Sequence, residues 1–576
     1  MNKKTNQYMK TAFVLTFFSL MIFTFSAVSQ TTIIINDPPK TELSDANKLS
    51  ILPTIKDTSK VHVDFKYSIE SKQFPTTFEV KSIKPATIGK ETINKLYNTY
   101  IKVGFANYMM PYAQINYNSN RSKTVQYGVN LLHNSSRGKI KINDIKTFAG
   151  FCDNEASLFG KKILKKSVIT GDFGFMHKTR YFYAHPDTTN NNYGLIPTEK
   201  DDMDFQTFLG LNGGAGWKSI LMDSGKLNYN IRLNYNFLQD HNKYNEHDIV
   251  YTGDFNKFYN NELIGLNTKL RLIDRNTGVD SLLNAYLTLN PWIGFQGDKW
   301  KINMGLNVMA KMNETDNAKF HFYPNVSMQY DLAEKFLTPY VIIKGELLPQ
   351  TYSALSSENP FINPNTGMTD MNNTINVMGG LKGSLSPRIS YDFNVNYLET
   401  ENMYFYVNSD GSALDDSLGI WPTYYFSNNR FNLVTDTAMI FKVNGALMFA
   451  KSEKLNICLK GMYNYFTLQN LEQPWQIPQY LITLETRYNI QDKILVNFDV
   501  NNIGPYYYKL PTFDQWDITS GKEKPHYDIN LGFEYRYTKI LSAFLQFNNL
   551  TAKKYQRWHG YQTYGFQVMF GLTYSL

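Results

Sequence analysis

The closing stretch of this chain, Tyr564 to Leu576, alternates without interruption. Tyr564, Phe566, Val568, Phe570, Leu572, Tyr574 and Leu576 fall on one face, and Gly565, Gln567, Met569, Gly571, Thr573 and Ser575 on the other. Successive strand residues point to opposite faces, so this segment reads as a strand that is apolar on one side and small or polar on the other. The period recurs upstream, as in Leu227/Tyr229/Ile231/Leu233/Tyr235/Phe237 against Asn228/Asn230/Arg232/Asn234/Asn236. It recurs again from Trp300 to Val308 and from Tyr527 to Tyr537. Faces rich in Asn, Arg and Glu line a hydrated or plugged interior, while the apolar faces suit lipid. An open sheet edge is not tolerated in lipid, so many such strands predict an all-β fold: a closed transmembrane antiparallel up-and-down β-barrel. Counting period-two segments gives about 22 strands.

The connections alternate in length. Tight turns at Gly297-Asp298-Lys299, Ser386-Pro387-Arg388, Ser452-Glu453-Lys454 and Gln491-Asp492-Lys493 are separated by longer polar loops near 184–203, 349–374, 405–429, 505–524 and 551–562. Short periplasmic turns and long extracellular loops have this rhythm, and an even strand count leaves both barrel ends in the periplasm.

Composition fits. A mean hydropathy of -0.38 is incompatible with a bundle of membrane helices, whereas a barrel hides its apolar half by alternation. The 41 Tyr and 39 Phe exceed the needs of a soluble core and suit two interfacial girdles. The net charge of +8 is spread over strand ends and turns with no basic, aromatic-interleaved stripe, which argues against a nucleic-acid partner and for lumenal charge and a surface facing lipopolysaccharide. Cys152, expected in a loop, and Cys458, expected mid-strand on a polar face, make no disulfide framework; one bridge between them would need that loop to fold inward.

Residues 1–29 read as a signal peptide. Lys3, Lys4 and Lys10 precede an apolar run from Thr11 to Phe25, with Ala27-Val28-Ser29 before the expected cleavage. Residues 30–93 form a short periplasmic segment with a candidate hairpin over Val61–Ile83, and 94–576 the barrel.

Asn549-Leu550-Thr551-Ala552-Lys553-Lys554-Tyr555, followed by Gly560-Tyr561 and the aromatic last strand, resembles the final hairpin of TonB-dependent receptors. The resemblance covers 95–576. It implies a barrel of about 22 strands, insertion by the barrel-assembly machinery, and uptake or passage of a nutrient across the outer membrane. Gly571, Tyr574 and Leu576 resemble the insertion signal that this machinery reads, with Met569 where a polar residue is usual and Leu in place of a terminal Phe. The sixty or so residues ahead of the barrel are too few for the family's plug, which points to a plugless or plug-reduced member of the kind common in Bacteroidetes. Thr32, Ile33, Ile34 and Ile35 are a weak match to a TonB box, the strand that pairs with TonB. The competing reading is a scaffold barrel that docks periplasmic or membrane partners for envelope assembly or maintenance.

Little else suggests chemistry. Asp240, His241, Glu246, His247 and Asp248 cluster in an expected external loop; His241, Glu246 and His247 are the weak metal candidates, against the plainer reading of a polar loop tip. Gly210, Gly213, Gly214 and Gly216 lack the Lys-Ser/Thr ending of a phosphate loop and read as a strand that bends or is closely packed. Trp421, Tyr424, Tyr425, Trp475, Tyr506, Tyr507, Tyr508 and Trp558 either stack on a ligand or anchor loops. No catalytic constellation emerges, so the chain is expected to be neither an enzyme nor a cofactor carrier.

Overall fold

The computed structural model describes residues 96–119, 122–142, 145–184, 198–220, 225–260, 262–276, 281–313, 317–409, 430–452, 454–510 and 520–576. The expected signal peptide, the TonB-box candidate Thr32–Ile35, the expected hairpin at Val61–Ile83 and Trp421, Tyr424 and Tyr425 lie outside these residues.

Twenty-two strands form one closed sheet. Each pairs antiparallel with its neighbour, and closure comes where Thr99–Ala106 meets Gln567–Ser575, with Tyr100 opposite Ser575 and Gly104 opposite Gly571. Closure leaves the sheet without a free edge. Three two-stranded hairpins, Lys139–Ile142 with Ile145–Phe148, Tyr506–Lys509 with Ser520–Glu523, and Gln556–Trp558 with Tyr561–Gln562, stand apart from the barrel sheet.

The side-chain alternation sets which face is which. Phe570, Leu572 and Tyr574 are exposed on the outside, while Thr573 between them is buried. On Asn228–Asp240, Leu233 and Tyr235 are exposed where Leu238 and Asp240 are buried. The exposed Leu, Phe, Tyr and Met side chains that would be anomalous on a soluble protein are here the lipid face. Inside, charges pair along the wall: Arg180 holds Asp153 on the adjacent strand through two hydrogen bonds of 2.6 and 3.0 Å, and Arg232 reaches over the intervening strand to Asp172. Gly214 makes room for that guanidinium, since a β-carbon there would collide with Arg232 Nη2. The glycine-rich stretch is therefore a close-packing device within the strand Phe205–Ser219.

Two sequence expectations need correction. The last strand starts at Gln567, not Tyr564. Tyr564 turns inward instead, bonding Ser136 Oγ at 2.9 Å, because its hydroxyl must find a partner once buried. Cys152 lies on the strand Phe151–Ile163 and not in a loop; both it and Cys458 are free thiols.

Both ends of the barrel sheet, at Thr99 and Ser575, share one rim with the short turns at 297–299, 387–388 and 491–493. The strand ends at Tyr181, Leu348, Asn408, Ile503 and Asn548 lie at the other, which is the outer rim. Wall height differs around the barrel. The strands flanking the closure are 8 or 9 residues long, whereas Ile389–Asn408 has 20 and Phe431–Lys451 has 21. Since about 9–11 tilted residues cross a bilayer, the long pair projects well beyond it.

Candidate functional site

The outer rim carries the most elaborate side-chain packing among the described residues. The connection at 349–370 holds a short helix, α1 (Tyr352–Glu358), started by Thr351, whose side chain accepts from the Ala354 N–H. Instead of standing up into solvent, this connection lies across the mouth as a strap. One side of it is pinned to the wall built by Phe205–Ser219, Asn228–Asp240, Asn245–Tyr259 and Glu262–Asn276. Glu246 accepts the backbone N–H groups of Tyr352 and Ser353 at 2.7 and 3.0 Å. The Tyr352 hydroxyl donates to Asp240 Oδ2 at 3.0 Å, and Gln206 Nε2 donates to that same oxygen at 3.1 Å. At the far end of the strap Asp370 accepts from Lys311 Nζ at 2.6 Å, from the Tyr286 hydroxyl at 2.8 Å and from the Gln350 N–H at 3.2 Å.

The other side of the strap is apolar and reaches across the opening. Phe361 stacks on Tyr561 with centroids 3.5 Å apart and planes 13° from parallel, and Tyr561 meets Tyr183 edge-on at 5.0 Å. Trp558 packs edge-on against Tyr406 at 4.9 Å, and the backbone of Phe431 bonds those of Phe361 and Asn363. One buried cluster thus joins Phe208 and Leu238 of the sixth and seventh strands, Tyr406 and Phe431 of the fifteenth and sixteenth, and Trp558 and Tyr561 just before the last. These elements sit on separate arcs of the wall. Their contact requires that the mouth be bridged, and burial of this many large rings gives the bridge its main stabilisation. Gly560 turns the tip of the Gln556–Gln562 hairpin at φ +89°, a conformation that leaves Trp558 and Tyr561 facing the cluster.

Burial changes the phenols of this cap. Loss of hydration, reinforced by the Asp240 carboxylate, holds Tyr352 well above the ordinary tyrosine range, and burial does the same for Tyr183, Tyr244 and Tyr561. All four remain neutral donors at any physiological pH.

The residues singled out from sequence separate here. Asp240 ends one strand and Glu246, His247 and Asp248 begin the next, so the expected loop is only the turn at 241–244. Strand alternation then sends Glu246 inward, 1% exposed, and His247 outward, where its Nδ1 bonds the Tyr235 hydroxyl at 2.9 Å. His241 rests on the ring of Phe205. Glu246 is engaged by the strap and by Arg275 Nε at 3.4 Å, and no group of metal-ligating side chains comes together among the described residues. Trp475, Tyr506 and Trp558 are buried loop anchors, and Tyr508 stacks on His559 at 3.5 Å. Gly571 faces inward, while Tyr574 and Leu576 face outward.

The sequence reading missed Tyr352, Asp370, Gln206 and Arg275. Tyr352 and Asp370 have side-chain partners on strands remote in sequence, whereas Gln206 and Arg275 face Asp240 and Glu246 from the neighbouring strands, so only an inward carboxylate next to a strand end could have hinted at them. The motif at 549–555 acquires a physical role: Asn549, in the left-handed region at φ +51°, ties its loop shut by donating from Nδ2 to the carbonyls of Lys553 at 2.7 Å and Tyr564 at 3.0 Å.

No family model matches the sequence, and no curated protein does. Solved structures match over most of the chain. The FrpB iron transporter from Neisseria meningitidis superposes with a TM-score of 0.62 at 10% identity, covering 84% of this chain and 82% of that one. The ferric-catecholate import receptor Fiu from Escherichia coli K12, in its closed form, gives 0.61 at 10% identity over 84% and 82%. The siderophore receptor PirA from Acinetobacter baumannii gives 0.61 at 11% over 84% and 81%. At such identities the likeness is one of fold, a closed 22-strand barrel.

Proposed function

We propose that this chain is an outer-membrane uptake receptor that admits a nutrient through a barrel whose outer mouth is closed at rest. The observation that carries the reading is the strap: a channel of this strand number is wide, and a strap pinned at Asp240, Glu246 and Asp370 and packed against Tyr561 is a device for controlling entry. The fold shared with iron-import receptors supports the same reading. Export by the signal at 1–29 and insertion by the barrel-assembly machinery would place it in the outer membrane, facing lipopolysaccharide. Its work is transport and not catalysis.

The test is uptake of labelled ferric chelates and labelled oligosaccharides by cells with and without the chain, before and after collapse of the proton gradient. Uptake that depends on the chain supports the receptor. Normal surface levels with no transported compound would favour the scaffold that docks envelope partners.

A further inference from the structure

The wall beneath the strap holds donors that the strap leaves unmatched. Arg275 is 7% exposed and stands beside Glu246 as an ion pair, yet its Nη2 meets no acceptor among the described residues. The hydroxyl of Tyr244, 1% exposed, also lacks one, and its ring lies 4.4 Å from that of Tyr352. An unmatched buried donor is destabilising, more so when charged, so two that lie close enough to interact mark a surface not shaped for the strap alone. The groups the strap does satisfy are equally informative. It offers a phenolic hydroxyl to Asp240 and Gln206, two N–H donors to Glu246, and the Asp370 carboxylate to Lys311 and Tyr286.

We propose that this patch, formed by Gln206, Asp240, Tyr244, Glu246, Arg275 and Lys311, is a recognition site for a cargo that carries both hydroxyls and a carboxylate, and that the strap occupies it as a stand-in until such a cargo displaces it. Cargo hydroxyls take over the places of Tyr352 Oη and the two N–H groups on Asp240 and Glu246. The cargo carboxylate meets Arg275 and Tyr244, the donors left over when the strap is seated. Displacement swings Tyr352 and α1 off the wall and separates Phe361 from Tyr561, so recognition and opening are one event. The proposal rests on the uptake reading, but binding can be read without transport.

The test uses the full chain purified in nanodiscs, with Cys152→Ser, Cys458→Ser and a reporter Ser356→Cys in the strap, where Ser356 is 5% exposed. Maleimide labelling of the reporter measures strap opening. The probes are galacturonate, ferric citrate, galactose and acetate at equal concentration. Galacturonate or ferric citrate should speed labelling several-fold, with galactose and acetate inert; which of the two acts tells a free hydroxy acid from a metal-bound one. Tyr244→Phe, which removes no hydrogen bond seen among the described residues, should blunt the response, and Arg275→Gln should abolish it. Equal responses to galactose or acetate, or no response to any probe while Tyr352→Phe alone speeds labelling, would overturn the assigned ligand class yet leave chain-dependent uptake standing.

Discussion

Phe544 lies across Gly571: a β-carbon on that glycine would stand 2.5 Å from Phe544 Cζ, and one on the facing Gly104 2.8 Å from the same atom. The ring therefore covers three strands at the closure of the barrel, Leu541–Asn548, Gln567–Ser575 and Thr99–Ala106, and Lys102 Nζ caps it at 4.3 Å. Two glycines facing each other leave a weak, side-chain-free spot in a ladder, and an aromatic ring laid over them restores the packing.

Gly571→Ala is accordingly expected to impair closure, because the added carbon would also collide with the Val103 carbonyl oxygen, which belongs to the neighbouring backbone. Phe544→Ala should cost about 3–5 kcal/mol, as for other buried aromatic truncations. Both are measured by the fraction that stays compact in unboiled detergent gels and by urea unfolding in detergent. Gly379→Ala, with nothing near its β position, is the control that should behave as wild type.

Tyr574, 41% exposed on the lipid face, tests separately whether it belongs to an insertion signal. A basic residue at the bilayer midplane costs roughly 2–4 kcal/mol and an acidic one less. Tyr574→Asp should lower the amount assembled at the surface, read by protease shaving of intact cells, whereas Tyr574→Phe should not. Normal levels for the Asp variant would remove this residue from the signal.

Replacing residues 351–369 by a short Gly/Ser turn should raise conductance in planar bilayers above that of the intact chain. The replacement removes Tyr352, Leu355, Phe361 and Ile362 from the buried cluster and leaves every barrel pairing in place. A wild-type chain that already forms a large, steady pore would contradict a mouth closed at rest.

The cap should also loosen in strong alkali. For Tyr352, Tyr183, Tyr244 and Tyr561 the folded-state pKa is raised, chiefly by burial. Their contribution is thus complete below the ordinary tyrosine value of about 10 and is lost as pH climbs through the folded one. Spectrophotometric titration of tyrosinate should show a late-titrating class that the strap replacement moves back towards the ordinary range.

Deletion of residues 31–36 is expected to leave uptake intact, since Thr32–Ile35 is a poor match to a TonB box. Uptake lost at normal protein levels would show that the chain is pulled by TonB.

The sequence by itself determined the barrel. Alternation is local, with a period of two that needs no knowledge of any other strand, so the lipid face of Leu227–Phe237 and the turn at Gln491-Asp492-Lys493 were readable directly. What it left open were ends and partners. The last strand loses Tyr564 and Phe566 because a buried phenol found Ser136, far away along the chain. Neighbours in sequence were likewise separated: Glu246 and His247 stand one residue apart, and the pleat puts them on opposite sides of the wall. The cap was decided by tertiary structure alone. Glu246 with Tyr352 and Phe361 with Tyr561 come together only when closure of the sheet brings distant loops over one opening. No periodicity records which loops those will be, because side chains that meet across a lumen follow the circumference of the barrel and not the order of the chain.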